Sequence, residues 1–315
     1  TMPNFNGVWS LTTQLQYASA WPVPPERAII HRANNVATET IDFVDMASTG
    51  NTSDFGDLTV ARASGLDTCG SSTRAVFGGG YDKSNVIDYV TISTTGDAAD
   101  FGDLTDGRHN SGALSNNTRG IWAGGTGSSN PVDIIDYITI ASTGNATDFG
   151  NLSAVRNHAS AAASTTRGVF LGGTGGNSST VYNIIEYITI GSVGNATDFG
   201  DMSGEIRLGS ACSSNTRIVA HCGILDTNVV NTLEYITTAS TGNSTDFGDL
   251  TAAVYDTGAT SNRILGIFIG GVSDRNNIDK ITIASTGDAA DFGDLSATGN
   301  RDPSATSSAH GGIAA

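Results

Sequence analysis

Residues 184–201 read Ile184-Ile185-Glu186-Tyr187-Ile188-Thr189-Ile190-Gly191-Ser192-Val193-Gly194-Asn195-Ala196-Thr197-Asp198-Phe199-Gly200-Asp201. A β-branched run, a turn and a short Asp-Phe-Gly-Asp strand follow one another here, and the pattern recurs along the chain. The string Asp-Phe-Gly-Asp/Asn-Leu/Met occurs six times, with its phenylalanine at Phe55, Phe101, Phe149, Phe199, Phe247 and Phe292. These six account for more than half of the 11 phenylalanines. The β-branched run precedes it as Ile87-Asp88-Tyr89-Val90-Thr91-Ile92 and Ile135-Asp136-Tyr137-Ile138-Thr139-Ile140. Further upstream lies an aromatic run ending in two glycines, as in Arg167-Gly168-Val169-Phe170-Leu171-Gly172-Gly173. Before that comes a small, polar run such as His158-Ala159-Ser160-Ala161-Ala162-Ala163-Ser164. Each repeat therefore reads as four short strands, with Gly-Asn or Gly-Asp supplying the hairpin turn.

Four strands in a unit of about 45–50 residues is the period of a β-propeller blade. The first strand of each unit is built from Gly, Ala, Ser and Asn, which suits the crowded axis of a ring. The repeated phenylalanine falls where blades widen, and burying each copy contributes roughly 1.5–3 kcal/mol. The first complete third-and-fourth-strand pair, Ile41 to Leu58, has a second strand in Arg27-Ala28-Ile29-Ile30-His31 but no first strand. Arg301 to Ser308 matches the missing piece. The expected fold is all-β: a six-bladed propeller over residues 27–315, four antiparallel strands per blade, with N- and C-terminal strands closing one blade. His310-Gly311-Gly312-Ile313 either starts an abbreviated strand or caps the ring.

Residues 1–26 read differently. They carry Trp9 and Trp21, with Leu11 and Leu15 on one face of a short helix, and then the proline-rich linker Pro22, Pro24 and Pro25. Phe5, Val8, Trp9, Leu11, Leu15 and Trp21 are the candidate attachment residues for a partner. The same residues also suit a segment folded back over the propeller seam.

Composition excludes several function classes. The net charge is −16, and Lys83 and Lys280 are the only lysines, so no phosphate-backbone interface is expected. No apolar run is long enough for a membrane span, and Thr1 to Asn6 lack a signal-peptide pattern. The 3 cysteines, Cys69, Cys212 and Cys222, read as buried thiols rather than a disulfide framework. No nucleophile elbow, phosphate loop or zinc-protease motif occurs, so no catalytic residue, metal or cofactor is assigned. Clustered acids such as Asp97 to Asp103 and Asp288 to Asp294 have the oxygen chemistry for calcium. Repeated Asp and Asn also serve turn geometry, as do the sequons at Asn51, Asn145, Asn195 and Asn243.

The loops between the second and third strands differ in every repeat. Their candidate ligand-binding residues are Tyr81, Asp82, Lys83, Asn85, Asn130, Asn177, Tyr182, Asp226, Asn228, Asp274, Arg275 and Asn276. Such adaptable hydrogen-bonding groups on a rigid scaffold suit a polar ligand such as a glycan; ordinary solvated loops would look the same.

The double glycine after an aromatic strand, then a tyrosine-containing strand, then Phe149-Gly150-Asn151-Leu152 with Arg156, resembles the kelch repeat. Arg62, Arg108 and Arg301 look like further copies of that arginine, while Tyr255 stands near its place in the fifth repeat. This resemblance implies the propeller fold and leaves function open. The wording of the repeats, with Phe5-Asn6-Gly7-Val8-Trp9-Ser10-Leu11 and Ala20-Trp21-Pro22 ahead of them, is similar to kelch-like fibre and appendage proteins of marine tailed bacteriophages, cyanophages especially. That resemblance implies a non-enzymatic virion structural protein, assembled in the host cytoplasm. Its N-terminus would join other virion proteins, and its propeller would bind a host-surface glycan or protein. The alternatives are a capsid or tail decoration protein that touches no receptor, and a polysaccharide hydrolase, which needs two carboxylates facing each other across the channel.

Overall fold

The computed structural model describes residues 26–32, 36–128, 130–176, 179–272, 275–297 and 301–313. It is 51% strand with 0% helix. Six four-stranded antiparallel sheets and one small three-stranded sheet make up the described residues, an architecture consistent with a β-propeller. The third sheet sets the pattern, with strands Ser160–Ala163, Arg167–Leu171, Ile184–Thr189 and Thr197–Asp201 paired in consecutive order. The first, second, fourth and fifth sheets begin at Leu66–Gly70, Gly112–Ser115, Ser210–Ser213 and Gly258–Ser261. The sixth joins distant parts of the chain: Ser304–Ser307 pairs with Arg27–His31, which pairs with Thr38–Asp45 and then Ser53–Arg62. Small first strands let their backbones approach, and each touches the first strands of two other sheets, the sixth meeting the first.

The Asp-Phe-Gly-Asp motif explains how neighbouring sheets join. Its phenylalanine is buried in every copy, within one of six apolar clusters that each draw on two adjacent sheets. Its carbonyl accepts a hydrogen bond from the turn glycine of the next sheet: Gly96 to Phe55, Gly144 to Phe101, Gly194 to Phe149, Gly242 to Phe199, Gly287 to Phe247 and Gly50 to Phe292, at 2.7–3.1 Å. A Cβ on the motif glycine would collide with that turn, as Gly150 would with the carbonyl of Gly194. Two residues beyond the phenylalanine, the amide donates to the turn's Asn or Asp side chain, as Asp103 does to Asn145 (3.1 Å) and Asp57 to Asp97 (3.2 Å). Only an acceptor oxygen is needed there, so Asn and Asp interchange. This is the work of the Asp97, Asp288 and sequon positions.

A second set of links runs from the first residue of the second strand. Arg27, Arg74, Arg119, Arg167 and Arg217 each lie over an aromatic ring of their own sheet at 4.3–4.7 Å. Each also donates to a carbonyl of the next sheet, from Arg27 to Ile92 through Arg217 to Ile283. Leu265 breaks the series. In that sheet Lys280 occupies the ring position and lies over Phe292 instead.

The kelch-like arginines Arg62, Arg108 and Arg156 are buried and form ion pairs with Asp88, Asp136 and Glu186 of the next sheet. Each acceptor sits at a register shift in its third strand, which turns the carboxylate inward. Arg301 is not a copy of them; it is exposed. In the fourth and fifth repeats the equivalent residues are Ile206 and Val254, not Tyr255. Where Ile206 has no charge to offer, Ser203 and Ser244 donate to the buried Glu234.

This exchange generates a prediction. Arg156→Ile leaves Glu186 buried without its partner and should lower stability by about 3–5 kcal/mol in urea unfolding. Adding Ala196→Ser supplies the hydroxyl that Ser244 provides to Glu234, and should restore about 1 kcal/mol. Equal midpoints for the single and double variants would refute this equivalence.

Candidate functional site

Strands alternate in direction, so the loops between second and third strands share one end of the sheets with the connections that enter each first strand. Bridges His109↔Thr126 and Asn157↔Thr174 tie the two sets together. In the connection entering each first strand, one residue has left-handed backbone: Gly65 (φ 80°), Asn110 (55°), His158 (53°), Leu208 (57°), Asp256 (55°) and Asp302 (52°). Such conformations are costly for most residues with a Cβ, by about 1–3 kcal/mol, and Asn and Asp tolerate them best. They persist here because neighbours hold each other. Asn110 N–H donates to Gly65 O, His158 to Asn110, Asp256 to Leu208 and Asp302 to Asp256, at 2.8–2.9 Å.

Asn110, His158, Leu208, Asp256 and Asp302, with the first strands of all six sheets, line a cavity of about 90 Å³. Three carboxylates face it, from Asp67, Asp256 and Asp302. Asp67 accepts hydrogen bonds from Ser111 N–H (2.9 Å) and Oγ–H (2.7 Å). Burial, and then the charge of Asp302, raise the Asp67 carboxyl well above its usual range. Burial raises Asp256 to about 7, helped by Asp302, and raises Asp302 to about 6. His158 is neutral. Its Nδ1 is 3.0 Å from Asn157 Oδ1 and its Nε2 is 2.7 Å from Asn110 Nδ2, which fixes the proton on Nδ1. Burial lowers its pKa to about 4.

A larger cleft of about 470 Å³ lies beside this mouth, lined in part by Asn130, Pro131, Asn157, His158, Arg207 and Leu208. Arg207 belongs to the small sheet Ile206–Arg207, Ile224–Leu225 and Asn228–Val229, which the sequence pattern does not announce. At the other end, a cavity of about 60 Å³ is covered by the C-terminal turn. There His310 Nε2 contacts Gly70 O (3.1 Å) and Ser115 Oγ (3.2 Å), while Gly312 N–H donates to His310 Nδ1. Residues 310–313 therefore form a turn across the ends of the first strands rather than a strand.

The candidate loop residues separate into groups. Asn130 lines the large cleft. Tyr81 is exposed and packs at a tilt against His109, with ring centroids 5.2 Å apart. Asp82, Lys83 and Asn85 are exposed, with Lys83 donating to Ser128 O. Tyr182 is half-buried against Gly175. Asp226 and Asn228 belong to the small sheet's hairpin, where Asp226 accepts from Glu205 N–H. Arg275 sits 3.8 Å from Asp279, and Asn276 O accepts from Leu295 N–H, so both serve the scaffold. Asn177 and Asp274 lie outside the described residues, as do Phe5, Val8, Trp9, Leu11, Leu15 and Trp21. Asp67, Asp256 and Asp302 were not among the candidates. Among the described residues no group of three or more His, Cys, Asp or Glu side chains is arranged to hold a metal ion. The cysteines are free and buried.

No protein-family model matches this chain, and no curated protein matches it.

The mouth carboxyls give a pH prediction. Their raised folded-state pKa values mean that the folded protein holds protons the unfolded chain releases above about pH 4. The stability they confer is complete below that pH and is lost as pH rises through about 6–7. His31, His158, His221 and His310, each lowered to about 4, act oppositely and cost stability as pH falls below 6.5. Comparing wild type with Asp256→Asn isolates the acid arm. The variant's unfolding temperature should rise relative to wild type between pH 5 and pH 8, and a constant difference would refute the shift.

Proposed function

We propose that the six four-stranded sheets are the blades of one closed propeller. We read it as the recognition part of a phage appendage that binds a host-surface glycan. The unbroken order of contacts among first strands supports the ring. The observation that carries the binding reading is the cleft of about 470 Å³ on the variable-loop face. Its size falls within the range of small-ligand sites, and its lining mixes hydrogen-bonding groups with the apolar Pro131 and Leu208. The repeated turns at the opposite end are near copies of one another and offer no such asymmetry. Attachment to the particle through residues 1–26, and the virion setting itself, rest on the likeness of the repeats and N-terminus to phage appendage proteins.

One observation favours a second reading, polysaccharide hydrolysis. Asp67, Asp256 and Asp302 share one cavity and have raised pKa values, as a general acid requires. The cavity of about 90 Å³ is far smaller than a ligand site of ordinary size, which weighs against it.

The purified full chain is expected to bind a polysaccharide fraction of the host envelope saturably. Tyr81→Ala combined with Asn130→Ala should weaken that binding about tenfold, the effect of removing a modest hot spot. Val193→Ala, on an exposed turn at the other end, should leave it unchanged. Release of new reducing ends, abolished by Asp256→Asn, would favour the hydrolase. Absence of binding would favour a decoration protein.

A further inference from the structure

The charge inventory singles out one side chain. Nearly every lysine and arginine of this acidic chain has a structural partner: a buried carboxylate, an aromatic ring with a neighbouring carbonyl, or a loop carbonyl. Arg207 differs. Its backbone pairs with Ile224, but among the described residues its guanidinium has no ion pair, hydrogen bond or ring contact. It is half-buried and lines the large cleft. The neighbouring His158 adds no positive charge, because Asn110 and Asn157 occupy both ring nitrogens of its neutral form. Arg301 does not line this cleft; its charge acts on Asp256 instead.

We infer that Arg207 is a carboxylate receptor and that the cleft takes an acidic saccharide, a uronate-bearing glycan. This rests on the glycan-binding reading above and names its ligand class. A guanidinium with free donors matches a carboxylate in two parallel hydrogen bonds. Pro131 and Leu208 offer an apolar surface to the C–H face of a sugar ring, and the Asn130 amide offers donors and an acceptor to its hydroxyls. Asn157 is already committed, with its Nδ2 on Thr126 Oγ1 at 2.7 Å, and shapes the wall instead. In a chain of net charge −16, attraction of an anion must be local, and so falls off as salt screens it.

The test is titration calorimetry of the full chain with oligogalacturonate and with a neutral galacto-oligosaccharide of matched length. The acidic oligomer should bind at least tenfold more tightly at low salt, and less so at high salt. Arg207→Gln should cost the acidic oligomer about ten- to a hundredfold, the range for a hydrogen bond to a charged group, and leave the neutral one unchanged. Arg207→Lys should recover part of the loss. Matching unfolding temperatures would show that the variants remain folded. Equal affinity for the two oligomers, insensitive to Arg207→Gln, overturns the inference and leaves glycan binding standing. Binding of neither also overturns it, and the envelope-polysaccharide assay then decides whether glycan binding itself survives.

Discussion

The hydrogen bond from a turn glycine to the carbonyl of a neighbouring sheet's phenylalanine is the contact on which the molecule depends. It occurs at every junction between successive sheets, including the one from Gly50 back to Phe292. It requires a residue without a Cβ in the partner strand, because the two backbones meet there. The same approach buries the phenylalanine against the next sheet. One short motif thus specifies hydrogen bonding, close approach and apolar burial together. Its six recurrences reflect six uses of one junction.

Variation is tolerated where the chemistry can be satisfied in another way. The turn acceptor alternates between Asn and Asp because either supplies an oxygen. The buried arginine at three junctions gives way to Ile206 and Val254 at two others, where hydroxyl and amide donors hold the carboxylates, with Arg275 3.8 Å from Asp279. The Thr251 hydroxyl and N–H donate to Asp279, as the Ser203 and Ser244 hydroxyls do to Glu234. Thr59 and Thr105 donate to Asp88 and Asp136 beside their arginines as well, so the ion pair adds to a hydroxyl contact that the junctions share, in keeping with the small net value of such pairs.

The architecture was largely legible because repetition turns one chain into several readings of the same unit. Phe149 and Gly150 are obvious once Phe101-Gly102 and Phe199-Gly200 stand beside them. The cavity lined by the first strands was less legible for the opposite reason. Gly65, Asn110, His158, Leu208, Asp256 and Asp302 occupy one structural position with five residue types among six copies. What they share is a backbone conformation, and side-chain identity reports that weakly. Asp67 and Asp302 are brought together by first strands from opposite ends of the sequence. Arg207 stood beside the expected arginine position, displaced by one residue and hidden by Ile206.

Pairing of Ser304–Ser307 with Arg27–His31 has a consequence for biosynthesis. Translation produces Arg27–His31 among the first strands of the fold and their partner among the last. Until then that strand keeps an open edge, with backbone amides and carbonyls free to recruit a wrong partner. Five sheets can form in order as the ribosome delivers them, from contacts of modest sequence separation. The sixth must wait, and its completion is the step in which an error in any earlier sheet would be felt.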